Sequence, residues 1–273
     1  ASPLAVGAAP WTLMAVVSVI GLVAWGQTLL RKRMPTRLVS VSKIRRFEGG
    51  VDVTFASDAP LPAFRPGQFA TLAHNTARAE AHPFTIAGGD EWSRRFVIRA
   101  AGDWTDAFVR DLAKGDMFRV SGGYGRFLPQ VGPKRRDQLW VAGGVGITPF
   151  LAALEQMEPD HGARVVLLYC IRSRASAGAL ESVEAHAARL PQVTLIIANE
   201  AEGGALIATR LADVIAALSA DAEAYLCGPE GRKALVEITW TSLKKTGRIH
   251  SERFDFRGAY SLAELIYVGG PLV

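Results

Sequence analysis

The 273 residues suffice for two compact domains and an appendage. The net charge is only +5, and its basic clusters, Arg31 to Arg33 and Lys134 to Arg136, have no interleaved aromatics, which excludes a nucleic-acid-binding class. The two cysteines, Cys170 and Cys227, sit in apolar strand-like runs, so neither a disulfide framework nor a metal site is indicated and a reducing compartment fits.

In chain order, residues 11–30 (WTLMAVVSVIGLVAWGQTLL) come first, uncharged and apolar around the whole circumference. That length and pattern predict a membrane-spanning helix with lipid as its partner, Trp11 and Trp25 serving as interfacial anchors. A signal peptide carries its charges before the apolar run, whereas Arg31, Lys32 and Arg33 follow it here. The positive-inside rule then assigns the rest of the chain to the cytoplasm. The chain opens on Ala1, as a fragment or processed product does.

Residues 35–133 carry short alternating runs (LVSVSKI, VDVTFAS, GQFATLA, RRFVIRA, DMFRVSG) punctuated by Gly and Pro, the pattern of an antiparallel β-barrel. After a linker at 129–137, strands alternate with helical stretches over 134–273, predicting a parallel-sheet α/β domain with helices near 148, 177–189, 208–218 and from 230. The first strand of that domain runs into LWVAGGVGITPFLAAL, residues 139–154. At Gly143, Gly144 and Gly146 the missing Cβ lets a phosphate approach the backbone, while Thr148 and Pro149 suit the N-cap and first position of a helix. Strand, glycine turn and helix together form a dinucleotide pyrophosphate site.

HPFT at 82–85, GDWT at 102–105, the glycine turn with its GITPF and AYLCGPEGRKALV at 224–236 follow one another in an order that resembles the flavin-dependent reductases of the ferredoxin-NADP reductase superfamily. Within it, the motifs are similar to the dehydrogenase half of NADPH oxidases and ferric reductases. The resemblance spans residues 37 to 257. It implies FAD lying against His82, Pro83, Phe84 and Thr85, with Phe84 packed on the isoalloxazine and Thr85 bonding near N5, where a donor stabilises the reduced ring. It assigns the FAD pyrophosphate to Arg99, Gly102, Trp104 and Thr105 at the start of a helix. Cys227, Gly228 and Pro229 would border the nicotinamide, and Phe254, with Phe256 next, would cover the opposite flavin face. Thr85, Cys227 and Phe254 are the catalytic candidates in this sense; Cys227 is not proposed as a nucleophile, because no neighbouring motif lowers its thiol pKa.

Arg172, Ser173 and Arg174 end the next strand, where a carboxylate would suit a free ribose 2′-hydroxyl; these residues suit a 2′-phosphate and favour NADPH over NADH. None of the five histidines lies in residues 11–30, so any haem belongs to upstream helices outside this sequence. The implied activity is hydride transfer from NADPH to FAD, then single electrons to haem, ferric iron or oxygen. Two alternatives stand beside it: a reductase component supplying a separate redox protein, and a non-catalytic membrane-tethered nucleotide-binding regulator.

Overall fold

The computed structural model describes residues 36–76, 79–128, 136–159, 164–202 and 206–252, with 14, 16–19, 21 and 22 nearer the start; of 206–209 only the backbone is described. The chain divides into two compact units, Ala1–Pro35 and Thr36–Val273. In the first, helical backbone is described at Met14, 16–19, Gly21 and Leu22. Among the described residues no helix is long and apolar enough to cross a membrane. The expectations of a membrane span, a lipid partner and a membrane localisation are therefore withdrawn.

The second unit begins with six antiparallel strands: β1 (Arg37–Phe47), β2 (Gly50–Ala56), β3 (Phe69–His74), β4 (His82–Thr85), β5 (Ser93–Arg99) and β6 (Met117–Tyr124), in the spatial order β4-β3-β6-β1-β2-β5. Alternation sets their inner face. Val51, Val53 and Phe55 of β2, Phe96 and Ile98 of β5, and Phe118 and Val120 of β6 all point into one core. Phe55 meets Phe96 and Phe118 edge-on, with ring centroids 5.9 and 5.3 Å apart. Beyond β4 the chain turns back, so that Ala87 donates to the Arg95 carbonyl and Arg95 donates to that of Gly88. The two ends of the sheet thus meet, which removes its open edges at this point. Helix α1 (Asp103–Asp111) caps the core with Phe108.

Five parallel strands follow: β7 (Gln138–Gly143), β8 (Val165–Ile171), β9 (Val193–Asn199), β10 (Glu223–Cys227) and β11 (Ile249–Glu252), in the order β11-β10-β7-β8-β9. The crossovers carry α2 (Thr148–Gln156), α3 (Leu180–Ala188), α4 (Leu206–Ala216) and α5 (Glu230–Ser242). Strand β8, VVLLYCI, is buried at every position because both of its faces are covered. Leu167, Tyr169 and Ile171 pack with Phe150 and Leu151 of α2 and Val183 of α3. Val166, Leu168 and Cys170 pack with Leu211 and Ile215 of α4 and Trp240 of α5. The glycine turn sits where the chain reverses direction across the sheet, between β7 and β10.

Side chains from the antiparallel layer anchor it to the parallel one. Asp52 holds Arg95 through two bonds of 2.8 and 2.6 Å, and Arg95 also reaches the Ser182 hydroxyl at 2.9 Å. Arg45 joins Asp52 at 3.3 Å and bonds Glu181 and the Gly178 carbonyl. With these contacts fixed, the end of β5, which carries Arg99, overlooks the glycine turn.

Candidate nucleotide cleft and flavin surface

Strand β7 ends at Gly143, and a 3₁₀ turn, Gly144–Ile147, leads into α2. The three glycines have different jobs. A Cβ on Gly146 would lie 2.3 Å from the Cys227 carbonyl oxygen, and one on Gly143 would lie 2.7 Å from Pro229 Cδ. Both permit the end of β7 to pack against the end of β10. Only Gly144 opens into free space, with a φ of +56° that L side chains rarely adopt. The missing Cβ at Gly143 and Gly146 thus lets the two strand ends close, and at Gly144 it faces open space, while the backbones of all three line a cleft above the turn.

Thr148 and Pro149 are reassigned. The N-cap of α2 is Ile147, and Thr148 lies inside the helix, 3% exposed, donating its hydroxyl proton to the Val145 carbonyl at 3.0 Å. The intervening 3₁₀ turn shifts the helix start by one residue and removes both side chains from the cleft.

A cleft of about 720 Å³ opens above this turn, within the size range of small-molecule sites. Arg99 reaches it from the antiparallel layer; Gly143, Gly144, Gly146, Arg172, Gly228 and Pro229 line it from the parallel one. Glu200, Glu230, Arg232 and Lys233 complete the lining. Four cationic side chains against two carboxylates leave a positive balance suited to a diphosphate.

Arg174 does not join them. Beyond Arg172 the chain folds into a tight turn in which Ser173 N–H donates to Ser176 Oγ at 3.1 Å and Ser176 N–H donates to Ser173 Oγ at 3.2 Å. That turn occupies Ser173 and directs Arg174 to Glu184 on α3, 2.8 Å away. Arg172 is exposed, and its guanidinium makes no hydrogen bond or ion pair among the described residues. Sequence reasoning missed Glu200 and Arg232. The first follows β9 and the second lies in the first turn of α5, yet they form an ion pair. Their partnership arises from strand order, and the only local signal was the basic pair immediately after CGPEG.

Cys227 is 1% exposed and is not part of the cleft lining. Burial, reinforced by Glu252, pushes its thiol well above the ordinary range, so it holds its proton. Glu252 is the parallel partner of Cys227. Its Oε2 is shut off from solvent without a hydrogen-bond partner, and burial pushes its carboxyl up to about 7 against the opposing pull of Lys233. Lys233, 4% exposed, donates to the Glu230 carboxylate at 3.1 Å and to the Glu252 carbonyl at 2.8 Å. Phe254 and Phe256 lie outside the described residues.

On the antiparallel layer, β4 brings His82, Pro83, Phe84 and Thr85 beside the start of α1. Trp104 stacks on His82 at 4.2 Å between centroids and on Phe84 at 5.7 Å, so an indole lies against the ring expected to pack on the flavin. Thr85 is 6% exposed and its Oγ1 has no partner; His82 Nε2 is likewise buried and unbonded. Desolvation lowers the His82 pKa, outweighing the attraction of Glu80. An orphaned hydroxyl beside an aromatic surface is what a bound heterocycle with a polar edge would satisfy. Thr105 acts locally, accepting from Ala101 N–H and donating to the Gly102 carbonyl, both at 2.9 Å. Its single proton is thereby used within the turn. Gly102 is the N-cap of α1, without a side-chain cap, leaving N–H groups available to an anion.

Residues 140–237 match the oxidoreductase NAD-binding domain family. Over 204 residues the chain is 29% identical to the ferredoxin reductase component of 3-ketosteroid-9-alpha-monooxygenase from Rhodococcus rhodochrous, covering 71% of this chain and 56% of that protein. It is 27% identical over 200 residues to the toluate 1,2-dioxygenase electron transfer component from Pseudomonas putida, covering 70% and 59%. The chain thus spans little more than half the length of these relatives. A flavohemoglobin from Malassezia yamatoensis, solved with FAD and heme, superposes with a TM-score of 0.70 at 18% identity, covering 89% of this chain and 67% of that one.

Proposed function

We propose that this chain, a member of the ferredoxin-NADP reductase superfamily, is a reductase module that takes hydride from a pyridine nucleotide and passes electrons to a separate redox protein. The observation that carries this reading is the cationic cleft shared by both layers, with Arg99 on one side and the glycine turn on the other. Phe84, Trp104 and His82 would hold FAD by its flat ring, the Thr85 hydroxyl would bond its polar edge, and Arg99 with the start of α1 would take its diphosphate. FAD, when bound, supplies the conversion from a two-electron donor to one-electron acceptors. The chain's own part is to orient and shield. No side-chain acid or base is needed for hydride transfer, consistent with a Cys227 thiol that keeps its proton.

Delivery to a separate protein is favoured over the oxidase or ferric reductase type because the two curated relatives are named as components that serve an oxygenase. Arg172 would meet a 2′-phosphate; with Arg174 paired elsewhere, the preference for NADPH rests on that one side chain. The test is nucleotide-dependent ferricyanide reduction by the purified chain after loading with FAD or FMN. Activity with FAD and little with FMN is expected. No activity with either nucleotide, or equal activity with FMN, would overturn the reading.

A further inference from the structure

Arg232 lies directly against the glycine turn. A Cβ on Gly143 would be 3.1 Å from its Nη1, so the guanidinium covers the strand end where a dinucleotide's phosphates would pass. Its other terminal nitrogen, Nη2, bonds Glu200 Oε1. The two residues are far apart in sequence and approach from different strand ends: Glu200 directly follows β9, and Arg232 stands in the first turn of α5. Both side chains retain solvent contact, 29% for Arg232 and 47% for Glu200. A pair so exposed contributes little to stability, which makes it exchangeable.

The other cations of the cleft are placed differently. Lys233 is buried and bound to Glu230 and the Glu252 carbonyl, while Arg172 and Arg99 have no partner among the described residues. Arg232 alone combines contact with the turn and an anion already bound to its fork. A carboxylate on a guanidinium uses the same donors that a phosphate would use.

We propose that Arg232 is the pyrophosphate clamp of this cleft and that Glu200 is an internal anion that holds the clamp until a dinucleotide displaces it. The inference rests on the reading of the cleft as a nucleotide site. Exchange replaces one carboxylate by a diphosphate of greater charge, and it moves the guanidinium little because donor and acceptor sites already adjoin. Since every pyridine dinucleotide carries the pyrophosphate, neither residue distinguishes NADH from NADPH. That choice is left to Arg172.

Calorimetric titration of the FAD-loaded protein with ADP-ribose, NADP⁺ and adenosine tests this. Arg232→Met should weaken ADP-ribose and NADP⁺ alike, by about tenfold or more, and leave the weak adenosine binding unchanged; Arg232→Lys should recover part of the loss. Glu200→Gln should tighten both phosphorylated ligands by the same factor. The clamp is disproved if wild type binds ADP-ribose and Arg232→Met binds it equally well. The exchange is disproved if Glu200→Gln alters the ratio of NADP⁺ to ADP-ribose affinity, which would mean that its carboxylate faces the ribose 2′ position. Absence of any binding by the folded wild type would instead overturn the nucleotide-site reading beneath both.

Discussion

The nucleotide cleft and the aromatic surface of the antiparallel layer are built by opposite means. The cleft is made of strand ends: charged side chains from the loops and helix start that follow the parallel strands and from the end of β5, backed by glycines that let β7 and β10 close on each other. The aromatic surface is made of side chains from a four-residue strand and a helix start, stacked in the series His82, Trp104, Phe84. One surface has its polar groups largely paired within the protein; the other leaves Thr85 Oγ1 and His82 Nε2 buried and unbonded. The difference predicts where a substitution damages the fold and where it damages only a ligand.

The largest effect should come from the glycine turn. In Gly146→Ala the new methyl meets the Cys227 carbonyl oxygen at 2.3 Å and its carbon at 2.7 Å, both backbone atoms that cannot rotate away. A loss of about 3 kcal/mol in chemical denaturation is expected, together with loss of nucleotide binding. Gly144→Ala should cost only about 1 kcal/mol, since its Cβ enters open space and only the positive φ is penalised. If the two variants proved equally stable, the turn would not be packed as described and the contrast with the aromatic surface would fail.

Glu252 supplies an intermediate effect and a pH signature. Burial raises its carboxyl to about 7, so the folded protein binds its proton more tightly than the unfolded chain does. Stability from this group is whole below the ordinary carboxylate range and is lost as pH rises through 7. The loss should be on the order of 2 kcal/mol between pH 5 and 8, allowing for solvent screening. Urea midpoints across that range should fall for wild type and stay flatter for Glu252→Gln, which keeps the neutral shape. A parallel fall in both proteins would assign the slope to another group.

The sequence disclosed the parts of this molecule whose physics is local. Period-two alternation marks β2, β5 and β6, and the fully apolar VVLLYCI marks a central parallel strand covered on both faces. The turn at 143–146 was legible because its glycines stand between an apolar strand run and a helix start; the separate jobs of the three were not, since two of them serve the packing of β7 against β10. What escaped depends on partners brought together from afar. Arg174 looked equivalent to Arg172, but the reciprocal Ser173 and Ser176 bonds turn it toward Glu184. Glu200 and Arg232 meet through the order β10-β7-β8-β9, which no local window contains. Trp104 reads as one letter of a flavin motif, while its position over Phe84 depends on α1 docking beside β4. The apolar run at 11–30 suggested a membrane span on hydropathy alone, whereas among the described residues no helix is long and apolar enough to cross a membrane.

The smallest effect should be the most discriminating, because its sign reverses with the ligand. Thr85 is buried with a hydroxyl that finds no partner in the protein, so Thr85→Val removes an unsatisfied polar atom while keeping the branched shape of the side chain. The flavin-free protein should become more stable by about 1 kcal/mol, read as a higher thermal midpoint. Flavin retention should move the other way, with FAD dissociating about tenfold more readily on dilution as the hydroxyl's bond to the ring edge is lost. A residue that merely fills the core would shift both measurements together. If Thr85→Val destabilised the flavin-free protein and left FAD affinity unchanged, the hydroxyl would have a partner within the fold, and the aromatic surface would lose its strongest mark as a flavin site.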